Sequence, residues 1–326
     1  MSDMSKFIIH LGYPKTGTTY LQRKIFTQLI DNYVVITPEF ENCGVNIRRL
    51  KYLIQSGRLP KKIKPAIAGK DVIISLEGLL FDPMRNVRND FSLPLSWPNA
   101  LQGLRLLCAD RLEEEIELVI YLRRQDELLH SLYAESKTYH FNQSDRLNTI
   151  EKYIESVLSE DALPSDPGYY YDFNNTINEV RDIFPNNTLH VRFFEDLEHK
   201  PDEEIKFWSE LCGHPLKRVE GRENSRHKGD GIKLADSSNQ LRYILLKLKK
   251  RYCPGLKLPN KLSRIAKGIL TKAATRKQES VLMTKEMRAR LCAKYKNVNL
   301  QPPVNRMIPE HLRQDYFASG WVNKSM

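Results

Sequence analysis

The chain has 326 residues, more than one minimal domain needs and fewer than two large ones take, and 41% of them are apolar, which allows a sizeable core and excludes wholesale disorder. No run approaches the roughly 18 uncharged apolar residues of a membrane span, and Phe7 to Leu11 is too short an apolar run, without a small-residue cleavage site, for a signal peptide. Lys and Arg total 51 against 40 acids, a net charge of +11, and the five scattered cysteines, with no CxxC pair, signal neither a disulfide framework nor a zinc site, so a reducing cytoplasm is expected.

In chain order, apolar and β-branched runs predict strands over Phe7 to Leu11, Tyr33 to Thr37, Val72 to Leu76, Leu118 to Leu122 and Leu189 to Phe193. Most are apolar at successive positions, which suits strands covered on both faces in a parallel sheet. After the first strand, Leu21, Ile25 and Leu29 recur at helical spacing, so a helix begins near Thr18 or Thr19. The stretches Arg48 to Lys70, Pro83 to Pro98 and Ser165 to Gly168 read as irregular. Gly221 to Gly231 reads as a polar, basic loop closing the core. The expected architecture is an α/β core over 1–235, a P-loop-like open parallel sheet flanked by helices, followed by a basic helical extension over 236–326. Between Ser237 and Gln278 there are twelve basic residues and no acid, while Leu262, Ile265, Ala266, Ile269, Leu270 and Ala273 share one helical face.

Gly12-Tyr13-Pro14-Lys15-Thr16-Gly17-Thr18-Thr19 sits between the first strand and its helix. Glycines and backbone N–H groups at a helix start present donors to an anion, and a lysine neutralises phosphate oxygens, so this is a phosphate cradle. The glycine spacing is that of a Walker A loop, but Thr18 follows Gly17 and the lysine lies inside the loop, which counts against an ATPase or GTPase arrangement. The segment Pro14 to Leu21 closely resembles the 5′-phosphosulfate loop of sulfotransferases that use 3′-phosphoadenosine 5′-phosphosulfate (PAPS). The resemblance implies that Lys15 contacts the bridging oxygen of the donor and that Pro14, Thr16, Gly17, Thr18 and Thr19 belong to the loop holding the 5′-phosphate. That family also carries an arginine at a strand end and a serine eight residues later that grip the 3′-phosphate, and Arg123 and Ser131 have that spacing after Leu118 to Leu122. Independently, a strand C-terminus opens onto the ligand crevice of an α/β sheet, and arginine's planar fork suits a phosphate dianion. Arg124 departs from the Asn or Asp often found there.

Sulfuryl transfer needs a base for the acceptor proton. Glu77, after the third strand, occupies the place where family members put a catalytic histidine or glutamate, and it is preferred to Glu39, after the second strand, with Glu41 third. Arg192 to Leu197 resembles a turn late in sulfotransferase cores, and Arg222, Arg226, Lys228 and Gly229 form a looser match to a loop over the 3′-phosphate. No histidine shows a metal-ligand spacing, and His10 reads as a core or rim side chain.

The resemblance to the bacterial, carbohydrate-type branch implies transfer from PAPS to a saccharide or glycolipid hydroxyl in polysaccharide biosynthesis, with adenosine 3′,5′-bisphosphate as product and no metal required. Residues 237–278 suit peripheral contact with an anionic inner membrane surface, a groove for an anionic acceptor or a solvated face, and no nucleic-acid motif is present. The alternatives are a P-loop kinase using ATP and a non-catalytic membrane- or polyanion-binding protein.

Overall fold

Five strands, β1 (Phe7–His10), β2 (Val34–Ile36), β3 (Val72–Ser75), β4 (Ile116–Leu122) and β5 (Thr188–Phe193), form one sheet in the order β2-β3-β1-β4-β5. Every pairing is parallel. The computed structural model describes residues 5–38, 40–58, 63–76, 79, 97–111, 116–140, 150–158, 171–220 and 283–317.

The uninterrupted apolar strands follow from burial on both faces. Phe7, Ile9, Val72, Ile74, Leu118 and Ile120 point into one core, whereas Ile8, Ile73, Val119 and Tyr121 point into a second one. The first core is roofed by helices that include Trp97–Leu107, Gln125–His140 and Phe173–Ile183, and Leu291, Tyr295, Ile308 and Leu312 from the C-terminal helices Lys285–Asn299 and Glu310–Phe317 join it. The second is closed by Leu21, Ile25, Phe26 and Leu29 and by Trp208 of helix Pro201–Cys212.

Two local expectations are corrected. The stretch 48–70 contains two helices among its described residues: Asn46 caps one over Ile47–Gln55 by accepting the Arg49 N–H at 2.9 Å, Leu50 and Ile54 are buried, and a short one lies over Lys64–Ile67. The segment from Thr18 is not one regular α-helix but an α turn (Thr18–Tyr20), a π turn (Leu21–Ile25) and a 3₁₀ turn (Phe26–Leu29). Its apolar stripe is buried as expected. Gln22 is buried too, and its amide donates to the carbonyl and hydroxyl of Ser75 at 2.9 and 3.0 Å.

His10 closes that network, with Nδ1 2.7 Å from Ser75 Oγ and its ring edge-on to Phe26, Tyr121 and Trp208. Gln22 also donates to the Ser75 hydroxyl, so Ser75 Oγ links both side chains, while His10 Nε2 has no hydrogen-bond partner among the described residues. Complete burial lowers the His10 pKa to about 3. The folded value lies below the unfolded one of 6.5, so the contribution to stability is whole above pH 6.5 and is lost as pH falls toward about 3. Between pH 7 and pH 5 this one group is expected to remove about 2 kcal/mol of unfolding free energy. Denaturant unfolding of His10→Gln at the two pH values should show a pH dependence weaker by that amount, and equal dependence in variant and parent would refute the assignment.

Candidate functional site

The strand order determines where ligands enter. From β1 the chain runs outward to β2 and β3, then crosses to β4 on the other side of β1, so the crevice outside the carboxyl ends of β1 and β4 is the topological switch point. The loop Gly12 to Thr19 leaves β1 there, and Arg123 and Arg124 leave β4 beside it.

Two residues of the loop adopt left-handed backbone, Lys15 with φ 65° and Gly17 with φ 79°. At Gly17 only glycine fits, because a Cβ would also overlap the Leu197 side chain and press on the Phe194 ring. At Lys15 the conformation is strained for an L-residue, by about 1–2 kcal/mol, and its neighbours hold it. The Lys15 carbonyl accepts from Arg123 Nη1 at 3.0 Å. The hydroxyls of Thr16 and Thr18 both donate to the Tyr13 carbonyl, at 2.8 and 3.1 Å, and both side chains are buried. These two threonines stitch the loop together, so their hydroxyls serve the loop's own backbone. Tyr13 in turn packs against Phe173 and its hydroxyl lies 2.8 Å from Thr176 Oγ1.

Arg123 bridges the two motifs. Its guanidinium bonds the loop, stacks on the Phe194 ring at 4.4 Å and lies 3.6 Å from Glu127 Oε2. Arg124 makes a fork to Asp126 at 2.7 and 3.2 Å, and its backbone N–H donates to Glu195, which also accepts from the Tyr316 hydroxyl at 3.1 Å. Burial pushes the Glu195 carboxyl above the usual carboxylate range despite those bonds. Burial acts the same way on Glu127, but Arg288, Arg123 and Arg124 outweigh it and hold that carboxyl low, hence ionised at neutral pH.

Of the residues the sequence singled out, Pro14, Lys15, Thr16, Gly17, Thr18 and Thr19 share one loop, Arg123 is bonded to it, and Ser131 lies buried in helix Gln125–His140, which starts two residues after Arg123. Glu77 and Glu39, residues 237–278 and the basic residues Arg222 to Gly229 fall outside the described residues. Glu41 is a brace: its carboxylate accepts the N–H groups of Cys43 and Val45 at 3.0 and 3.1 Å. Desolvation raises its pKa, but the bonds from Cys43, Val45 and Gly44 prevail and set it below the ordinary value, which suits a structural carboxylate better than a proton acceptor. Phe194 to Leu197, a weak signal in sequence, proves to be the clamp over Gly17 and Arg123. Arg288 and Tyr316 gave no signal, standing on helices far along the chain.

The chain matches a family model described as a sulfotransferase domain over residues 5–229. Among solved structures, a sulfotransferase from Alicyclobacillus acidocaldarius is 13% identical, with a TM-score of 0.41, covering 74% of this chain and 95% of its own. Mouse sulfotransferase SULT7A1 complexed with PAP is 11% identical, with a TM-score of 0.42, covering 95% of this chain and 88% of its own. No curated protein sequence matches.

Proposed function

The chain belongs to the sulfotransferase domain family, and from that premise we propose that it transfers a sulfuryl group from PAPS to a saccharide or glycolipid hydroxyl. The observation that carries the reading is the bond from Arg123 to the Lys15 carbonyl, which joins the two anion-binding motifs into one basic site at the switch point of the sheet. A donor bearing phosphate at both ends fits two such motifs in contact, whereas a Walker A site would need only the first.

The acceptor oxygen attacks sulfur in line, the bond from sulfur to the phosphate oxygen breaks, and the acceptor proton passes to a carboxylate. Lys15 meets the charge that develops on the departing phosphate oxygen. The loop residues Thr16 to Thr19 hold the 5′-phosphate, and Arg123 with Ser131 the 3′-phosphate. Glu77 is the base we assign, with Glu39 as its competitor. The donor's charge is answered by N–H groups, lysine and arginine, so the reaction is expected to proceed in EDTA. The acid-free run 237–278 would hold such an enzyme against an anionic membrane surface, where a glycolipid acceptor is presented.

The test is calorimetric titration of EDTA-treated protein with adenosine 3′,5′-bisphosphate, with ATP as competitor. Micromolar binding is expected, much tighter than that of ATP, and Arg123→Ala should weaken it by about 10- to 100-fold, the worth of hydrogen bonds to a charged group. Tighter Mg²⁺-dependent ATP binding would replace this reading by the kinase, and binding of neither nucleotide by the non-catalytic membrane- or polyanion-binding protein. Mass spectrometry of glycans, proteins and small phenols incubated with donor would identify the acceptor class; sulfate on protein or phenol alone would refute the saccharide assignment.

A further inference from the structure

The family match ends at residue 229, yet the helix Lys285–Asn299 beyond it reaches the arginine pair. Arg288 on that helix is buried, and its Nη1 donates to Asp126 Oδ2 and, at 2.9 Å, to Glu127 Oε1. Its Nε–H has no acceptor among the described residues, where the bonds of its Nη1 go to those two carboxylates. The helix that presents it is firmly seated: Thr284 caps it, Leu291, Cys292 and Tyr295 are fully buried, and Asn299 exchanges amide bonds with Gln125 at 2.8 and 3.1 Å.

Glu127 therefore stands among three guanidinium groups, with Arg124 Nη2 3.6 Å from its Oε1. Its Oε1 takes Arg288 at 2.9 Å, whereas its Oε2 is only 3.6 Å from Arg123. Around the site three cations, Arg123, Arg124 and Arg288, face three carboxyls, Asp126, Glu127 and Glu195. Without Arg288, Asp126 and Glu127 would have only Arg123 and Arg124 to neutralise them, and Glu127 would draw Arg123 into a close pair before any ligand arrived.

We propose that Arg288 is a positioning residue for the donor site: it takes up the charge of Asp126 and Glu127 and so keeps the Arg123 guanidinium available to the 3′-phosphate of the donor. This rests on the reading of Arg123 given above. The C-terminal helices are then part of the donor site's electrostatics, although none of their residues need touch the donor.

The full-length chain and its variants R288M, E127Q and R288M/E127Q are titrated with adenosine 3′,5′-bisphosphate, and melting is followed on the same samples. R288M should bind about 10- to 100-fold more weakly, the range of a typical coupling between sites. The double variant loses one charge of each sign, keeps Arg123 unclaimed, and should bind within about threefold of the parent. E127Q alone, with the competing carboxylate gone, should bind at least as tightly as the parent, and it carries the test if R288M fails to fold. A purely structural role predicts the reverse pattern, with the double variant no better than R288M. Parent-like binding by R288M, a double variant as weak as R288M, or weakened binding by E127Q would each overturn the proposal. A parent protein that does not bind the bisphosphate would instead overturn the donor-site reading itself.

Discussion

Lys15→Ala is expected to lower kcat by about 10²- to 10³-fold with little change in the KM for PAPS, as for removal of one preorganised charge-stabilising group. The reason lies in when the charge appears. In bound PAPS the oxygen between phosphorus and sulfur carries little charge, and it becomes anionic only as the bond to sulfur breaks, so a cation placed there is worth most in the transition state. A loss confined to kcat is the signature of such an interaction. The backbone makes the experiment clean, because Lys15 already occupies the left-handed region at φ 65° and alanine, which also carries a Cβ, adds no further strain. The Arg123 bond to the residue 15 carbonyl survives the substitution. Melting should therefore stay close to that of the parent. Lys15→Arg should recover only part of the rate, since a planar, more weakly hydrated fork does not replace a compact ammonium. Parent-like kcat in Lys15→Ala, measured with saturating donor and acceptor, would remove Lys15 from the reaction.

The parts of this molecule that sequence reveals are those governed by local pattern. Burial on both faces turned β1 to β4 into largely apolar runs that can be read without pairing information, while the half-buried edge strand β5 shows only Leu189, Val191 and Phe193. The phosphate loop was legible because glycine, lysine and threonine fall at fixed offsets between a strand and a helix start. Helix Ile47–Gln55 was missed where it need not have been: Asn46 is a good cap, and Ile47, Leu50 and Ile54 keep helical spacing behind the basic residues between them. The break-up of the segment 18–29 into π and 3₁₀ turns had no such cue, for Gln22 is drawn inward by Ser75, a residue 53 positions away. The same holds for Arg288, 162 positions from Asp126, whose part depends on a tertiary contact that no spacing rule encodes. Phe194 to Leu197 lies between these cases, a common-looking turn whose meaning emerges only when it meets Gly17.

Glu77→Gln is expected to lower kcat by about 10²- to 10⁴-fold, the usual worth of a general base, while Glu39→Gln stays within about threefold of the parent. The strands that precede the two residues stand at different places in the sheet. β3, which ends at Ser75, two positions before Glu77 in sequence, pairs directly with β1. β2, which precedes Glu39 in sequence, pairs with β3 and stands one strand farther out. The two substitutions should also differ in pH behaviour. In the parent, kcat rises with pH as the base ionises, and Glu77→Gln should flatten that limb while Glu39→Gln leaves it in place. Glu41→Gln serves as the contrast, because a carboxylate that braces Cys43 and Val45 should show its loss in melting temperature before it shows it in rate. A larger loss in Glu39→Gln than in Glu77→Gln would move the base to the edge strand, and with it the side of the crevice from which the acceptor hydroxyl must approach.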